Sequence, residues 1–253
     1  MSNPQIDVII PNFNKGNYLK ECLDSVIRQT YKNWCLYIID DCSNDNSKTI
    51  LKDYENKKNF NVIKLKKNKG PSFCRNLGIR LSKSEYLSFL DSDDFWTKDK
   101  LELQIEFMIK NNLEFTYTDY TSFIIKNNKH IYKNKTNLKE SFTFNQFIRN
   151  SSINSSTMII SRGMLKTNRF KKVALLEDYL FKCDILKNNK IAKKINNSLA
   201  YYRILPSNRS ANRLLNIYWL WKINGRYNKL SFFDNIQSIF GIMINSVKKY
   251  GFK

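Results

Sequence analysis

The chain has 253 residues, 42% of them hydrophobic and 14% aromatic, which suits a globular protein with a substantial core and excludes a disordered one. A net charge of +21 and a pI near 9.7 favour a polyanionic partner: nucleic acid, an anionic membrane face or a phosphorylated substrate. Five cysteines without a C-x-x-C pair read as reduced thiols, and the single histidine, His130, excludes chemistry built on several histidines, so a general base is expected to be a carboxylate.

In chain order, residues 6–11 read as a short strand ended by Pro11, and Asn12, Asn14 and Gly16 as a turn. A helix follows over 18–28, with Leu19, Cys22, Leu23 and Val26 at helical spacing. A strand over 34–39 runs into Asp40 and Asp41, and helix 47–57, strand 61–65 and helix 72–81 come next. The strand over 85–90 runs into Asp91, Ser92, Asp93 and Asp94. Strands alternating with short helices predict an α/β fold with a mostly parallel, Rossmann-like sheet and right-handed crossovers. Thr97 is positioned to cap a helix over 98–110.

Beyond residue 114 the pattern loosens. Residues 115–125 read as strand, 126–137 as a polar loop, 144–150 as a short helix, 155–161 as strand and 177–186 as helix. From Leu214 the chain reads as helical, basic and rich in aromatic residues. Residues 6–10 are too short for a signal peptide and contain Asp7, and no apolar run approaches the roughly 20 residues that span a bilayer, so a cytoplasmic protein is expected.

The stretch SFLDSDDFW concentrates the chemistry. A buried strand ending in clustered acids is costly unless the charges meet a cation or a ligand. In open α/β sheets ligands sit outside the carboxyl ends of the strands, and hard carboxylate oxygens suit Mn2+ or Mg2+. An isolated D-x-D also fits a solvated turn before a helix. Here it has company: Asp40-Asp41 ends another strand, Glu177-Asp178 opens a helix, and Arg75 lies between them in NKGPSFCRNLG. An arginine at a helix start beside a cation site suits a diphosphate. Neither G-x-G-x-x-G nor a Walker loop is present, which argues against a dinucleotide or P-loop site.

Taken in order, VIIPNFN, IIDDCSND, NKGPSFCRNLGI, LDSDDFW and LLEDYLF resemble the inverting glycosyltransferases of family 2, which have the GT-A fold, over residues 6 to about 210. The resemblance implies a catalytic domain over 1–210, with a nucleotide-binding half (1–112) and an acceptor-binding half (113–210), followed by a helical extension (211–253). It implies that Phe13 stacks on the nucleotide base, with Pro11 and Asn14 shaping its loop. Asp40 would accept the uracil N–H and so select a UDP-sugar, while Asp41 equally suits holding the following loop. Arg75 would contact the nucleotide or diphosphate, Asp91 and Ser92 would lie against the nucleotide sugar, and Asp93 would ligate Mn2+ or Mg2+. Asp94 is expected at the N-terminus of the next helix. Asp178 matches the catalytic base, and Trp96, Glu177 and Arg203 are candidates for the sugar or acceptor pocket. In YYRILPSNRS the family often has a histidine where this chain has Leu205, although Arg203, Ser207, Arg209 and Ser210 could still close over the phosphates.

Residues Ile236, Ile239, Phe240, Met243 and Val247 share one helical face, with Lys248, Lys249 and Lys253 after them. That suits either peripheral contact with an anionic membrane on its cytoplasmic face or packing on the catalytic domain. The expectation is a metal-dependent transferase acting on a saccharide acceptor, which can be lipid-linked, in bacterial surface glycan synthesis. The rivals are a sugar-phosphate nucleotidyltransferase, which lacks its glycine-rich loop here, and a nucleic-acid-binding protein, which leaves the acid clusters without purpose.

Overall fold

The computed structural model describes residues 3–205 and 212–250. Its first half alternates strictly: β1 (Ile6–Asn12), α1 (Gly16–Ile27), β2 (Trp34–Asp40), α2 (Ser47–Lys52), β3 (Phe60–Lys64), α3 (Pro71–Leu81) and β4 (Tyr86–Phe89). These strands are rich in Ile, Val and Leu, and all of their mutual pairs are parallel. Then come β5 (Phe95–Trp96), α4 (Lys100–Lys110), β6 (Phe115–Lys126), β7 (Lys129–Lys135), β8 (Ser141–Phe142), α5 (Phe144–Phe147), β9 (Ile159–Ser161), α6 (Glu177–Leu186), β10 (Ala192–Arg203), α7 (Arg213–Arg226) and α8 (Phe232–Tyr250).

Among the described residues, one sheet runs in the order β3-β2-β1-β4-β9-β6-β10-β5, with β7 beside β6 and β8 beside β10. It crosses residue 112 without interruption, because β9 pairs antiparallel with both β4 and β6. Each face carries its own core. Leu19, Leu23 and Val26 of α1 and Leu101, Ile105 and Met108 of α4 cover one side. On the other, Phe89 of β4 meets Phe170 and Phe181, whose rings stack 3.7 Å apart. Short strands buried on both faces are the cause of their unbroken apolar runs.

Several expectations are corrected. Strand β1 does not end at Pro11 but continues to Asn12, with Pro11 opposite Ile39. Pro11 points its missing N–H to the same side as Ile9, where β4 has already ended at Phe89, so no ladder bond is lost. Thr97 does not cap α4; the helix starts at Lys100, and Thr97 Oγ1 donates to the Leu199 carbonyl at 3.5 Å. Helix α2 stops at Lys52 rather than 57. Residues 126–137 are no loop: β6 and β7 form a hairpin through Asn127 and Asn128, with φ of +51° and +57°. Residues 155–157 form a 3-10 turn, leaving β9 only three residues long. Ser207, Arg209, Ser210 and Lys253 lie outside the described residues.

Candidate active site

The carboxyl ends of β1, β2 and β3 open into loops that side chains tie together. Asp40 is buried at the end of β2 and accepts from Asn12 Nδ2 at 2.7 Å, Ser43 Oγ at 2.6 Å and the Ser43 N–H at 3.1 Å. Asn14 donates its N–H to Ser43 Oγ at 2.9 Å, and its Oδ1 accepts from the Asn44 N–H at 2.8 Å. It holds φ at +51°, a left-handed conformation that asparagine tolerates. A Cβ on Gly16 would lie 1.7 Å from Asn46 Oδ1 and 2.8 Å from the Ser47 nitrogen, so glycine is what lets the two loops touch. Asp41 accepts from the Lys69 and Gly70 N–H groups at 2.7 and 2.8 Å, fixing the approach to α3. Above this floor Phe13 is 46% exposed, a ring outside the core. Pro11 lies half-buried within β1.

Past β4 the chain turns back so that the Asp94 N–H reaches the Asp91 carbonyl at 2.9 Å. Asp91 Oδ1 accepts from Arg75 Nη2 at 2.6 Å, and Asp93 Oδ2 pairs with Lys15 Nζ at 2.7 Å. Ser92 is buried between them. Asp94 is not at a helix start, as expected, but inside the body. Its Oδ2 accepts from Ser156 Oγ at 2.6 Å and its Oδ1 from the Arg203 N–H at 3.0 Å. Burial, then the charges of Asp93 and Asp91, push its carboxyl well above the usual range. Burial and these like charges thus favour the neutral form of Asp94, while Asp91 and Asp93 each keep a cationic partner.

The third cluster arrives on α6, a helix buried almost all round. Leu176 begins it at φ +62°, a left-handed conformation that costs a leucine about 1–2 kcal/mol and turns Glu177 and Asp178 towards α3. There Arg75, buried, lies 3.6 Å from Glu177 Oε1, with its guanidinium 5.3 Å from the Phe170 ring centre. Its Nε and Nη1 have no hydrogen-bond acceptor. Asp178 is 38% exposed and accepts from Lys182 Nζ at 2.7 Å, one turn along the helix. Lys182 is anchored in turn on the Ile153 carbonyl at 2.7 Å. Desolvation works to raise the Asp178 carboxyl, but Lys182 and then Arg75 outweigh it and hold it below the usual range. Arg75 thus joins Asp91 of the β4 turn and Glu177 of α6, 86 residues apart in the chain, beyond the carboxyl ends of the parallel strands.

Residues 7–171 match the profile described as glycosyl transferase family 2. The chain belongs to that family. A relative from Escherichia coli, the UDP-Glc:alpha-D-GlcNAc-diphosphoundecaprenol beta-1,3-glucosyltransferase WfgD, is 31% identical over 259 residues, covering 100% of this chain and 97% of that one. Among solved structures, S. aureus TarS 1-349 in complex with UDP-GlcNAc aligns with a TM-score of 0.71 at 21% identity, over 96% of this chain and 73% of the other. The mannosyltransferase PcManGT from Pyrobaculum calidifontis, in complex with GDP-Man and Mn2+, aligns with a TM-score of 0.71 at 13% identity, over 95% and 70%. The fold is GT-A, and the protein is a glycosyltransferase.

Two pocket candidates of this glycosyltransferase lie in the body of the fold, and Trp96 is one of them. It is buried as part of β5, donates Nε1–H to the Ser156 carbonyl at 2.7 Å and lies under Lys100 Nζ at 4.1 Å. Arg203, at the end of β10, is the other. Its Nε donates to the Asp93 carbonyl at 2.8 Å and its Nη2 to Glu21 at 2.5 Å, with its guanidinium 4.5 Å from the rings of both Tyr18 and Phe123. Arg203 holds the acid turn from behind. Sequence reasoning passed over Lys15, Lys182 and Ser156. The i, i+4 spacing of Asp178 and Lys182 was a readable signal; nothing in the sequence pairs Lys15 with Asp93.

For a metal, the donor set decides the fit. Among the described residues no group of three His, Cys, Asp or Glu side chains could hold an ion alone. Asp93, with Asp91 two residues before it, offers hard oxygens, and the Lys15 ammonium stands at Asp93 as a stand-in cation. That fits Mn2+ or Mg2+, which are held by one or two carboxylates plus substrate phosphates.

Proposed function

We propose that this glycosyltransferase moves a sugar from a UDP-sugar to a saccharide acceptor with inversion at the anomeric carbon, extending a bacterial surface glycan on a lipid-linked carrier. The observation that carries the reading is the meeting of Arg75 with Asp91 and Glu177, beside Asp178, at the edge of the parallel strands. The E. coli relative is named for a UDP-sugar and a diphosphoundecaprenol acceptor, which supports both halves of it. Residues 1–112 would then serve the donor and 113–210 chiefly the acceptor.

On this reading Phe13 offers an exposed face for the base, and Asp40, oriented by Asn12 and Ser43, accepts the uracil N–H. Arg75, whose Nε and Nη1 lack a hydrogen-bond acceptor, would set its guanidinium charge against the diphosphate. Asp93 and Asp91 would hold a divalent cation, which when bound supplies positive charge against the departing diphosphate. Asp178 takes the proton of the acceptor hydroxyl as that oxygen bonds to the anomeric carbon, while the carbon–oxygen bond to UDP breaks on the opposite face. Lys182 keeps Asp178 ionised and oriented for this. A lipid-linked acceptor brings the enzyme to a membrane surface.

The test is incubation of the protein and Mn2+ with UDP-Glc, UDP-GlcNAc or GDP-Man and a lipid-diphosphate GlcNAc acceptor. Mass spectrometry reads the product and proton NMR its anomeric configuration. Consumption of a UDP-sugar with inversion is expected; use of the GDP-sugar alone, or retention, would overturn the reading.

A further inference from the structure

The terminal helices carry a surface that the transfer chemistry leaves unused. Their inner sides are settled by polar contacts: Tyr179 Oη donates to Asn224 Oδ1 at 2.8 Å, and Asn224 Nδ2 donates to Asn235 Oδ1 at 3.1 Å and Ser238 Oγ at 2.8 Å. A Cβ on Gly241 would lie 2.6 Å from the Arg149 carbonyl oxygen, so α8 also sits close against the segment after α5. The outer sides are apolar where a water-facing helix is normally charged. On α8, Phe233 is 75% and Phe240 64% exposed, with Met243 on the same side. On α7, Tyr218 and Trp221 are exposed, and the rings of Trp221 and Phe232 lie 5.6 Å apart, joining the two rows into one surface.

Charge identifies what covers it. Lys222, Arg226, Lys229 and Lys248 are exposed on the same two helices and their connection. Asp234, the only acid between residues 212 and 250, is already paired with Arg149 at 3.3 Å. A second copy would bring one cationic rim against another, which is repulsive. Anionic headgroups over hydrocarbon match both the rim and the apolar rows. No helix among the described residues is long and apolar enough to cross a membrane.

We propose that the α7–α8 face seats on an anionic lipid bilayer, with its aromatic side chains at the headgroup boundary and its cations over the lipid phosphates. Through Tyr179 the same pair of helices is fastened to α6, next to Asp178, so docking would bring the base to the surface where a lipid-linked acceptor resides. This gives the acceptor reading a place, yet it rests on the helices alone, and vesicle binding can succeed or fail whatever sugar is transferred.

The experiment is co-sedimentation of the full chain with vesicles of phosphatidylcholine alone or mixed equally with phosphatidylglycerol, alongside thermal melting followed by circular dichroism as the folding check. Binding at least tenfold tighter to the anionic vesicles is expected. Phe233→Glu with Phe240→Glu should weaken it tenfold or more. Lys222→Gln, Arg226→Gln and Lys229→Gln together should weaken it about a hundredfold, at roughly fivefold per cation, with the thermal midpoint nearly unchanged in both variants. Failure of the wild type to sediment with anionic vesicles would overturn the proposal, as would sedimentation that neither variant weakens. A dimer seen by light scattering that the phenylalanine variant splits, without lipid binding, would assign the face to a second copy.

Discussion

Asp178→Asn separates chemistry from structure in a single substitution. The amide is nearly isosteric, and its Oδ1 can still accept from Lys182 Nζ, which also keeps the Ile153 carbonyl. Because Asp178 is 38% exposed, water screens the ion pair, so the loss of stability should be about 1 kcal/mol or less. That corresponds to a fall in Tm of roughly 2–4 °C. The amide cannot take a proton, and loss of a general base costs about 100- to 10,000-fold in turnover, or roughly 3–5 kcal/mol of barrier. Single-turnover UDP release at saturating acceptor reads this directly, with UDP affinity nearly unchanged. Glu177→Gln is the comparison, since its side chain points about 100° away around the helix and faces Arg75 instead. Near-normal turnover in Asp178→Asn with a dead Glu177→Gln would make Glu177 the base, and activity in both would refute the mechanism. The pH profile gives a second check. Asp178 is held below the usual carboxylate range, so the acid limb should lie below the ordinary value near 3.8. Lys182→Met removes the main cause of that depression and should move the limb to higher pH.

Three further outcomes are expected. In Asp40→Ala the preference for UDP over CDP and GDP should flatten by about tenfold or more in competition calorimetry, since a charge-assisted hydrogen bond is worth roughly 1.5–3 kcal/mol; no preference in the wild type would sink that assignment. Lys15→Ala should tighten binding of Mn2+ alone, read by electron paramagnetic resonance, by about two- to fivefold, because the ammonium competes for Asp93; unchanged or weaker Mn2+ binding would contradict the stand-in role. Lys100 is fully buried on α4, and burial without a carboxylate partner among the described residues holds its ammonium well below the usual range. Between its folded and unfolded pKa values the unfolded chain binds the extra proton, so stability rises with pH across that window and is reduced at neutral pH. Lys100→Met should raise Tm by about 2–4 °C for each kcal/mol recovered.

The parallel half of the fold was legible because each of its strands is a short apolar run ending in a turn signal, as in residues 34–39 before Asp40-Asp41. The second half was harder for a physical reason. β10 carries Lys193, Lys194, Asn196 and Asn197, and register shifts between Ile195 and Ser198 break its period of two. Lys194 is tolerated inside only because it meets Asp119 at 3.0 Å, a partner far away in sequence. The hairpin over 126–137 did have a signal, Asn127-Asn128, hidden among polar neighbours. In the site, the types of residue were readable but their orientation was not. The order of acids could not distinguish Asp93, on the open side of the turn, from Asp94, turned inward onto Ser156. Nor could it show that Trp96 and Arg203 support the turn from the core, because both depend on β5 and β10 being neighbours.

On the proposed reading, a uridine diphosphate and a divalent cation share the space between Phe13, Asp40, Arg75 and Asp93. Calorimetric titration of UDP in Mn2+, repeated in EDTA, measures this. Affinity at least tenfold higher is expected with Mn2+, an advantage that disappears in Asp93→Ala. Equal affinity in Mn2+ and EDTA, or a metal effect that survives Asp93→Ala, would contradict it.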